Sequence, residues 1–279
     1  MTFMGAEADY EAADIVLFGA PFDGTTSFRP GTRFAPDVIR RESYGIETYS
    51  PLLDRDLEDC AIADIGNLDF PFGNTEKVLG RIEETVDKIL SDKKIPLLVG
   101  GEHLVSLGAI RSAVRHHENL RIIHLDAHGD LREDYLGEIL SHATVMRRAY
   151  DLVGEKRIYQ FGIRSGPREE FAFAREHTFF HPFSLEGIEQ YLPALREVPV
   201  YLSIDLDVLD PGVFPGTGTP EPDGASVGEL IGFIHKLKGL SIIGADVVEL
   251  SPTYDPSGIS SAAAVKVLRE LMLVLGEEN

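Results

Sequence analysis

The sequence predicts an α/β fold built on a mainly parallel sheet. Short apolar runs recur along the chain, and helix-like segments fall between them. The runs are rich in β-branched residues and end in Gly, Asp or Pro, as strands buried on both faces do. They are Ile15–Phe18, Ile95–Val99, Ile122–Leu125, Ile158–Phe161, Val200–Ile204 and Ile242–Ala245. Helices are expected at Thr75–Lys93, Val105–His117, Ser141–Val153, Leu185–Leu195, Ser226–Lys238 and Ser257–Leu275. The first carries Val78, Ile82, Val86 and Ile89 on one face, and Ser226 with Glu229 three residues on forms a capping-box start. No linker, repeat or low-complexity block interrupts the pattern, so residues 1–279 are expected to form a single domain.

Composition narrows the function classes. Of the 279 residues 43% are apolar and 26% charged, an ordinary soluble balance. The 46 acidic and 26 basic residues give a formal net charge of -20, which repels nucleic acid and anionic membranes and favours a small cationic partner. Cys60 is the single cysteine, so no intramolecular disulfide can form. Met1–Asp14 lacks the basic start and apolar run of a signal peptide. No apolar stretch approaches the roughly 20 residues of a membrane helix. The cytoplasm is the expected compartment.

In parallel sheets, ligands gather beyond the carboxyl ends of the strands. Gly100-Gly101-Glu102-His103 follows the second run, Asp126-Ala127-His128-Gly129-Asp130 the third, Asp205-Leu206-Asp207 the fifth, and Asp246-Val247-Val248-Glu249 the sixth. Alternation along a strand puts Asp126 and His128 on one side, and Asp205 with Asp207 likewise. A shared pocket would then hold His103, Asp126, His128, Asp130, Asp205 and Asp207. Four carboxylates packed together repel one another unless cations neutralise them. The oxygen-rich, thiolate-free set suits manganese or a similar hard ion. Two such ions, about 3.5–4 Å apart, can activate a shared water as a nucleophile. His124 lies deeper in the same strand and is read as a core or supporting residue. His116, His117, His177, His181 and His235 have no partner motif and are read as surface or packing residues.

At these residues the chain resembles the ureohydrolase family of arginases and agmatinases. The matching motifs are Gly100–His103, Asp126–Asp130, Ser203–Asp207 running into Asp210-Pro211, Gly216–Pro220 and Val248–Pro252. An N-terminal match, Gly19–Thr26 through Pro30–Arg33, extends the resemblance over nearly the whole chain. It implies a three-layer α/β/α sandwich, two Mn2+ ions per subunit, and hydrolysis of a guanidinium to urea and an amine. It also implies a homotrimer or homohexamer. It assigns His103, Asp126, Asp130 and Asp205 to one ion, and Asp126, His128, Asp205 and Asp207 to the other. Glu249 corresponds to the glutamate that holds the guanidinium, and His142 to a histidine that moves protons beside the site. The positive charge of the tetrahedral intermediate would stay near Glu249 and Asp130, and a histidine suits protonation of the leaving amine. Thr219 is a candidate lining residue for the substrate.

Arginases follow the Asp-Ala-His-x-Asp motif with an asparagine and a Ser-Gly-Asn loop. Here Leu131 follows Asp130, and both features are absent. Ser141-His142-Ala143 and Thr219-Pro220-Glu221-Pro222 are instead similar to agmatinases, although Asp223 stands where a glycine is common. The implied substrate is agmatine, a guanidinium with an ammonium at its other end, and Glu133, Asp134 and Glu138 offer acids for that cation. The runner-up is a carboxylate-bearing substrate such as 4-guanidinobutyrate, with Arg132 as partner; arginine comes third. A metal-binding regulator without turnover is disfavoured, because all implied ligands, His142 and Glu249 are present.

Overall fold

The computed structural model describes residues 1–277. In chain order the elements are β1 (Ile15–Ala20), α1 (Ala35–Ser43), β2 (Tyr49–Ser50), β3 (Arg55–Asp56), β4 (Ile62–Asn67), α2 (Thr75–Ser91), β5 (Ile95–Gly100), α3 (Val105–His116), β6 (Arg121–Leu125), α4 (Val145–Val153), β7 (Ile158–Phe161), α5 (Arg168–His177), β8 (Phe179–His181), α6 (Leu192–Leu195), β9 (Val200–Asp205), α7 (Val227–Lys236), β10 (Ile242–Val248) and α8 (Ile259–Leu275). Eight strands form one sheet in the order β4-β1-β5-β10-β9-β6-β7-β8, and every pairing in it is parallel. β2 and β3 form a separate antiparallel ribbon.

Strand alternation feeds two cores. Ile15, Leu17, Leu97 and Val99 pack with α1, α7 and α8 on one face. Val16, Phe18 and Leu98 pack with α2, α3 and α4 on the other. Covered on both faces, the inner strands are predominantly apolar, and β1 and β9 are buried at every residue. The result is the three-layer α/β/α sandwich, with the central sheet mainly parallel as the periodicity predicts. No helix among the described residues is long and apolar enough to cross a membrane.

The expected helix at Leu185–Leu195 is not formed. Only a short 3-10 turn (Ile188–Gln190) and α6 occur there, because Gly187 sits in the left-handed region at φ 94° and interrupts the run. Several elements have no counterpart among the apolar runs. β4 and β8 are sheet edges and only partly buried, so their sequences are mixed. α1 is largely polar, and its buried Arg40 forms a two-pronged pair with Asp64 of β4, Nε–Oδ2 at 2.7 Å and Nη2–Oδ1 at 2.8 Å. α5 was also hidden by its charge, burying only Glu170 and Ala174.

The strand order places the site. β5, β10, β9 and β6 are adjacent at the middle of the sheet, and each ends in one of the acidic or histidine-bearing segments. The chain passes from β5 to β6 early, then returns to fill the gap with β9 and β10, which leaves a crevice over their carboxyl ends.

Candidate metal centre

The site is assembled from turns that leave the strands. Gly101 comes directly after β5, and a Cβ there would stand 2.1 Å from the Phe22 carbonyl oxygen. Only glycine lets the chain pass so close to the end of β1, where Glu102 N donates to Phe22 O. His103 then points into the crevice. Asp126 and Asp205 lie at strand ends, and each accepts from the backbone two residues on: His128 N to Asp126 Oδ1 at 2.5 Å, and Asp207 N to Asp205 Oδ1 at 2.8 Å. These Asx turns, rather than strand alternation, bring His128 and Asp207 to the same side. Asp130 and Glu249 hold positive φ, 51° and 67°, which is uncommon away from glycine and clusters at functional sites.

His103 supplies the diagnostic geometry. Its Nε2 lies 3.0 Å from Ser203 Oγ, and that hydroxyl donates to Asp246 Oδ1 at 2.8 Å. Ser203 therefore accepts from Nε2–H. The opposite nitrogen, Nδ1, lies 3.0 Å from Asp126 Oδ2, 3.0 Å from Asp130 Oδ2 and 3.3 Å from Asp205 Oδ2. None of those oxygens meets it in hydrogen-bonding geometry, and Nδ1 is a buried polar atom without a partner. Four electron-rich atoms facing one point fit a hard cation. A second cluster joins His128 Nδ1 with Asp207 Oδ2 at 2.9 Å and Asp126 Oδ1 at 3.5 Å. Asp126 thus turns one oxygen toward each histidine.

His124 belongs to the support of this cage. It falls close enough to His103 and Asp126 to complete a three-ligand group. Both its nitrogens are already engaged, however: Nε2 with Asp126 Oδ2 at 2.8 Å and Nδ1 with Gln160 Nε2 at 3.1 Å. Gln160 Nε2 also donates to Gly129 O at 2.9 Å, which fixes the amide and makes His124 Nδ1 the acceptor. His124 Nε2–H therefore donates to Asp126 and aims its carboxylate.

Electrostatics follow from packing these groups together. Burial opposes ionisation of Asp126, but His103, His124 and His128 hold it well below the usual carboxylate range. Burial and the charges of Asp207 and Asp126 push Asp205 well up; Asp207 is raised by burial and Asp126 against the pull of His128. Burial and Glu102 raise Glu249. Burial would depress His103 and His128, yet the surrounding acids raise both well above the ordinary imidazole value.

The other predicted residues sit around the same cavity of about 480 Å³. Glu249 Oε1 accepts from His103 N at 2.7 Å, so the carboxylate is tied to the cage. Thr219 Oγ1 donates to Asp207 Oδ2 at 3.2 Å and lines the cavity. His142 opens a 3-10 turn capped by Ser141 and also lines the cavity. Burial lowers its pKa against the pull of Asp130. Thr25 Oγ1 accepts from His142 N at 3.1 Å, lies 3.5 Å from His142 Nδ1, and donates to Glu102 Oε1 at 2.5 Å. Since that hydroxyl proton is committed to Glu102, His142 Nδ1 is the donor and its Nε2 is left as the basic atom. Buried Glu102, raised to about 7 by burial, anchors this chain with two further bonds from Thr25 N and Thr26 Oγ1.

Glu133, Asp134 and Glu138 do not line the cavity. Glu133 is exposed and pairs with Arg147 at 2.9 Å, and Asp134 caps Gly137 N within its own turn. Arg132 and Tyr135 of that loop do line it, as does Glu170 from α5. Thr25, Glu102, Gln160 and Glu170 were not singled out from sequence. Thr25 and Glu102 lie inside recognised motifs, whereas Gln160 and Glu170 carry no local signal. His235, read as surface or packing, bonds the buried Glu270 at 2.8 Å, far from the site.

The Arginase family profile matches residues 13–274. The chain is 46% identical over 275 residues to an agmatinase of Bacillus subtilis, covering 97% of this chain and 95% of that one. It is 35% identical to a guanidinobutyrase of Pseudomonas aeruginosa, over 96% of this chain and 88% of the other. The crystal structure of an agmatine ureohydrolase of Thermoplasma volcanium superposes with a TM-score of 0.87 at 36% identity, over 98% and 93% of the two chains.

Two outcomes are expected from this geometry. Because the surrounding acids raise His103 and His128 well above the ordinary imidazole value, protons compete with a metal for these nitrogens. Manganese affinity should therefore rise with pH, and loading in weak buffer should acidify the solution; pH-independent affinity would contradict the arrangement. Thr25→Val should free the His142 ring and lower kcat roughly 10- to 100-fold with bound manganese unchanged. Wild-type kcat in that variant would remove Thr25 from the positioning of His142.

Proposed function

Since the chain belongs to the arginase family, we propose that it hydrolyses the guanidinium of agmatine to urea and putrescine. The observation that carries this reading is His103 Nδ1 facing three carboxylate oxygens at 3.0–3.3 Å, with Glu249 bonded to the backbone of the same residue. A cation cage and a carboxylate for a guanidinium are thereby locked side by side. The near full-length agmatinase relative supports the substrate.

The proposed cofactor is a pair of Mn2+ ions. His103, Asp126, Asp130 and Asp205 would hold one, and Asp126, His128, Asp205 and Asp207 the other. Such a pair supplies Lewis-acid activation of water near neutral pH. The protein does the rest. Glu249 is held by one oxygen, and the other, beside Gly218, accepts from the guanidinium and fixes its plane against the cage. Asp130 adds negative charge where positive charge persists as the carbon becomes tetrahedral. His142 is neutral near pH 7, because burial depresses it. Its Nε2 accepts a proton and passes it to the leaving amine nitrogen. Thr219 keeps Asp207 aligned and borders the substrate.

We further infer that residues 1–279 work as one ureohydrolase domain, in the cytoplasm, as a homotrimer or homohexamer with no nucleic-acid or membrane partner. The second reading, a 4-guanidinobutyrate hydrolase, rests on Arg132, which lines the cavity. The deciding measurement is urea release by manganese-loaded protein offered agmatine, 4-guanidinobutyrate and arginine separately. Release mainly from agmatine is expected; release mainly from the guanidino acid would transfer the assignment to the second reading. Glu249→Ala should retain manganese and lose turnover by roughly 100-fold or more, and unchanged turnover would take Glu249 out of the mechanism.

A further inference from the structure

Glu170 lies in the first turn of α5 and borders the cavity that holds the metal cage, yet the mechanism above does not use it. The residue is 6% exposed. Its Oε1 accepts from Leu131 N at 2.9 Å, one residue past Asp130, and stands 3.9 Å from Arg132 Nε. Its Oε2 has neither a hydrogen-bond nor an ion-pair partner among the described residues. The space before that oxygen is kept open by Gly166, whose φ is 153° and whose added Cβ would lie 2.6 Å from Oε2. Any side chain at 166 would fill the seat and meet the carboxylate.

Glu170 borders the cavity, and the protein offers its Oε2 no donor, so that oxygen is free to accept from a ligand held there. Ser165 and Glu221, which also line the cavity, are bonded to each other, Ser165 Oγ donating to Glu221 Oε1 at 2.7 Å. We propose that Glu170 Oε2, in the seat left by Gly166, binds the primary ammonium at the far end of the guanidino substrate. The assignment rests on the ureohydrolase reading above and deepens it. A guanidinium anchored at Glu249 leaves the tail to find its own acid, and an ammonium carries three donors for one. A carboxylate tail meets the same oxygen as a like charge. Arg132, which would attract such a tail, is drawn toward Glu170 instead. The Glu170–Arg132 pair is thus the element that sets tail preference.

The test compares agmatine with n-pentylguanidine, in which a methyl replaces the ammonium, on manganese-loaded wild type and Glu170→Gln. Glutamine keeps an oxygen for Leu131 N–H and removes the charge. Binding is followed by calorimetry and turnover by urea release. Wild type should bind agmatine about 10- to 100-fold more tightly than n-pentylguanidine, in line with a charge-assisted hydrogen bond. In Glu170→Gln that preference should vanish through weaker agmatine binding and higher KM, with n-pentylguanidine unchanged. KM for 4-guanidinobutyrate should fall as Arg132 is released. Equal binding of the two ligands by wild type would overturn the proposal without any variant. So would a preference that survives in Glu170→Gln, or a parallel loss for both ligands. Tight, Glu170-dependent agmatine binding without urea release would sink the hydrolase reading and leave the subsite standing.

Discussion

Mutual repulsion among buried acids is the constraint around which the centre of this protein is organised. Asp126, Asp130, Asp205, Asp207 and Glu249 are all less than a tenth exposed and converge on one crevice. Left alone, they would protonate or push apart. Four of the five are held in place by backbone N–H groups. Asp126 and Asp205 are held by the backbone two residues on, Asp207 by Ala127 N at 3.0 Å, and Glu249 by His103 N. The fold thus gathers at four strand ends an electrostatic demand that cations would satisfy.

The tethers extend outward in ordered chains. His103 is braced by Ser203 and Asp246, His124 by Gln160 and Gly129, and His142 by Thr25 and Glu102. In each chain one group accepts a hydrogen bond from the intermediate residue, the Asp246 carboxylate, the Gly129 carbonyl or the Glu102 carboxylate. That fixes which imidazole nitrogen carries the proton. Orientation at the reacting centre is therefore decided two residues away from it, in the sheet for His103 and His124 and in the turns beyond β1 and β5 for His142.

Much of this was legible in the sequence. The inner strands announce themselves as unbroken apolar runs because both faces are covered, and the residues after them carry the chemistry. Where one face or an edge is open, that signal fades: β4 and β8 were missed for this reason, as was α1, whose Arg40 is buried only by virtue of its partner Asp64. The helix expected at Leu185–Leu195 failed on a single left-handed glycine. At the site, the six candidate ligands are brought together, but the reason given for two of them was incomplete. Asp207 follows Asp205 through a side chain–backbone turn, not through strand alternation. Gln160 and Glu170 were beyond reach because nothing in their local sequence marks them; their roles come from what lies opposite in the fold.

The order of strands has a consequence for how the chain matures. His103, Asp126, His128 and Asp130 are synthesised early, while β9 and β10, which join the two halves of the sheet, come after residue 199. On the ribosome the early ligands would emerge with no central strands to hold them at the spacing of the cage. Such a nascent chain offers scattered, flexible donors that bind metal weakly. β9, paired with β6, brings Asp205 and Asp207 to Asp126, and β10, between β5 and β9, joins His103 to them. A chain ending before residue 200 would lack both Asp205 and Asp207 and the two strands that set the spacing of the cage.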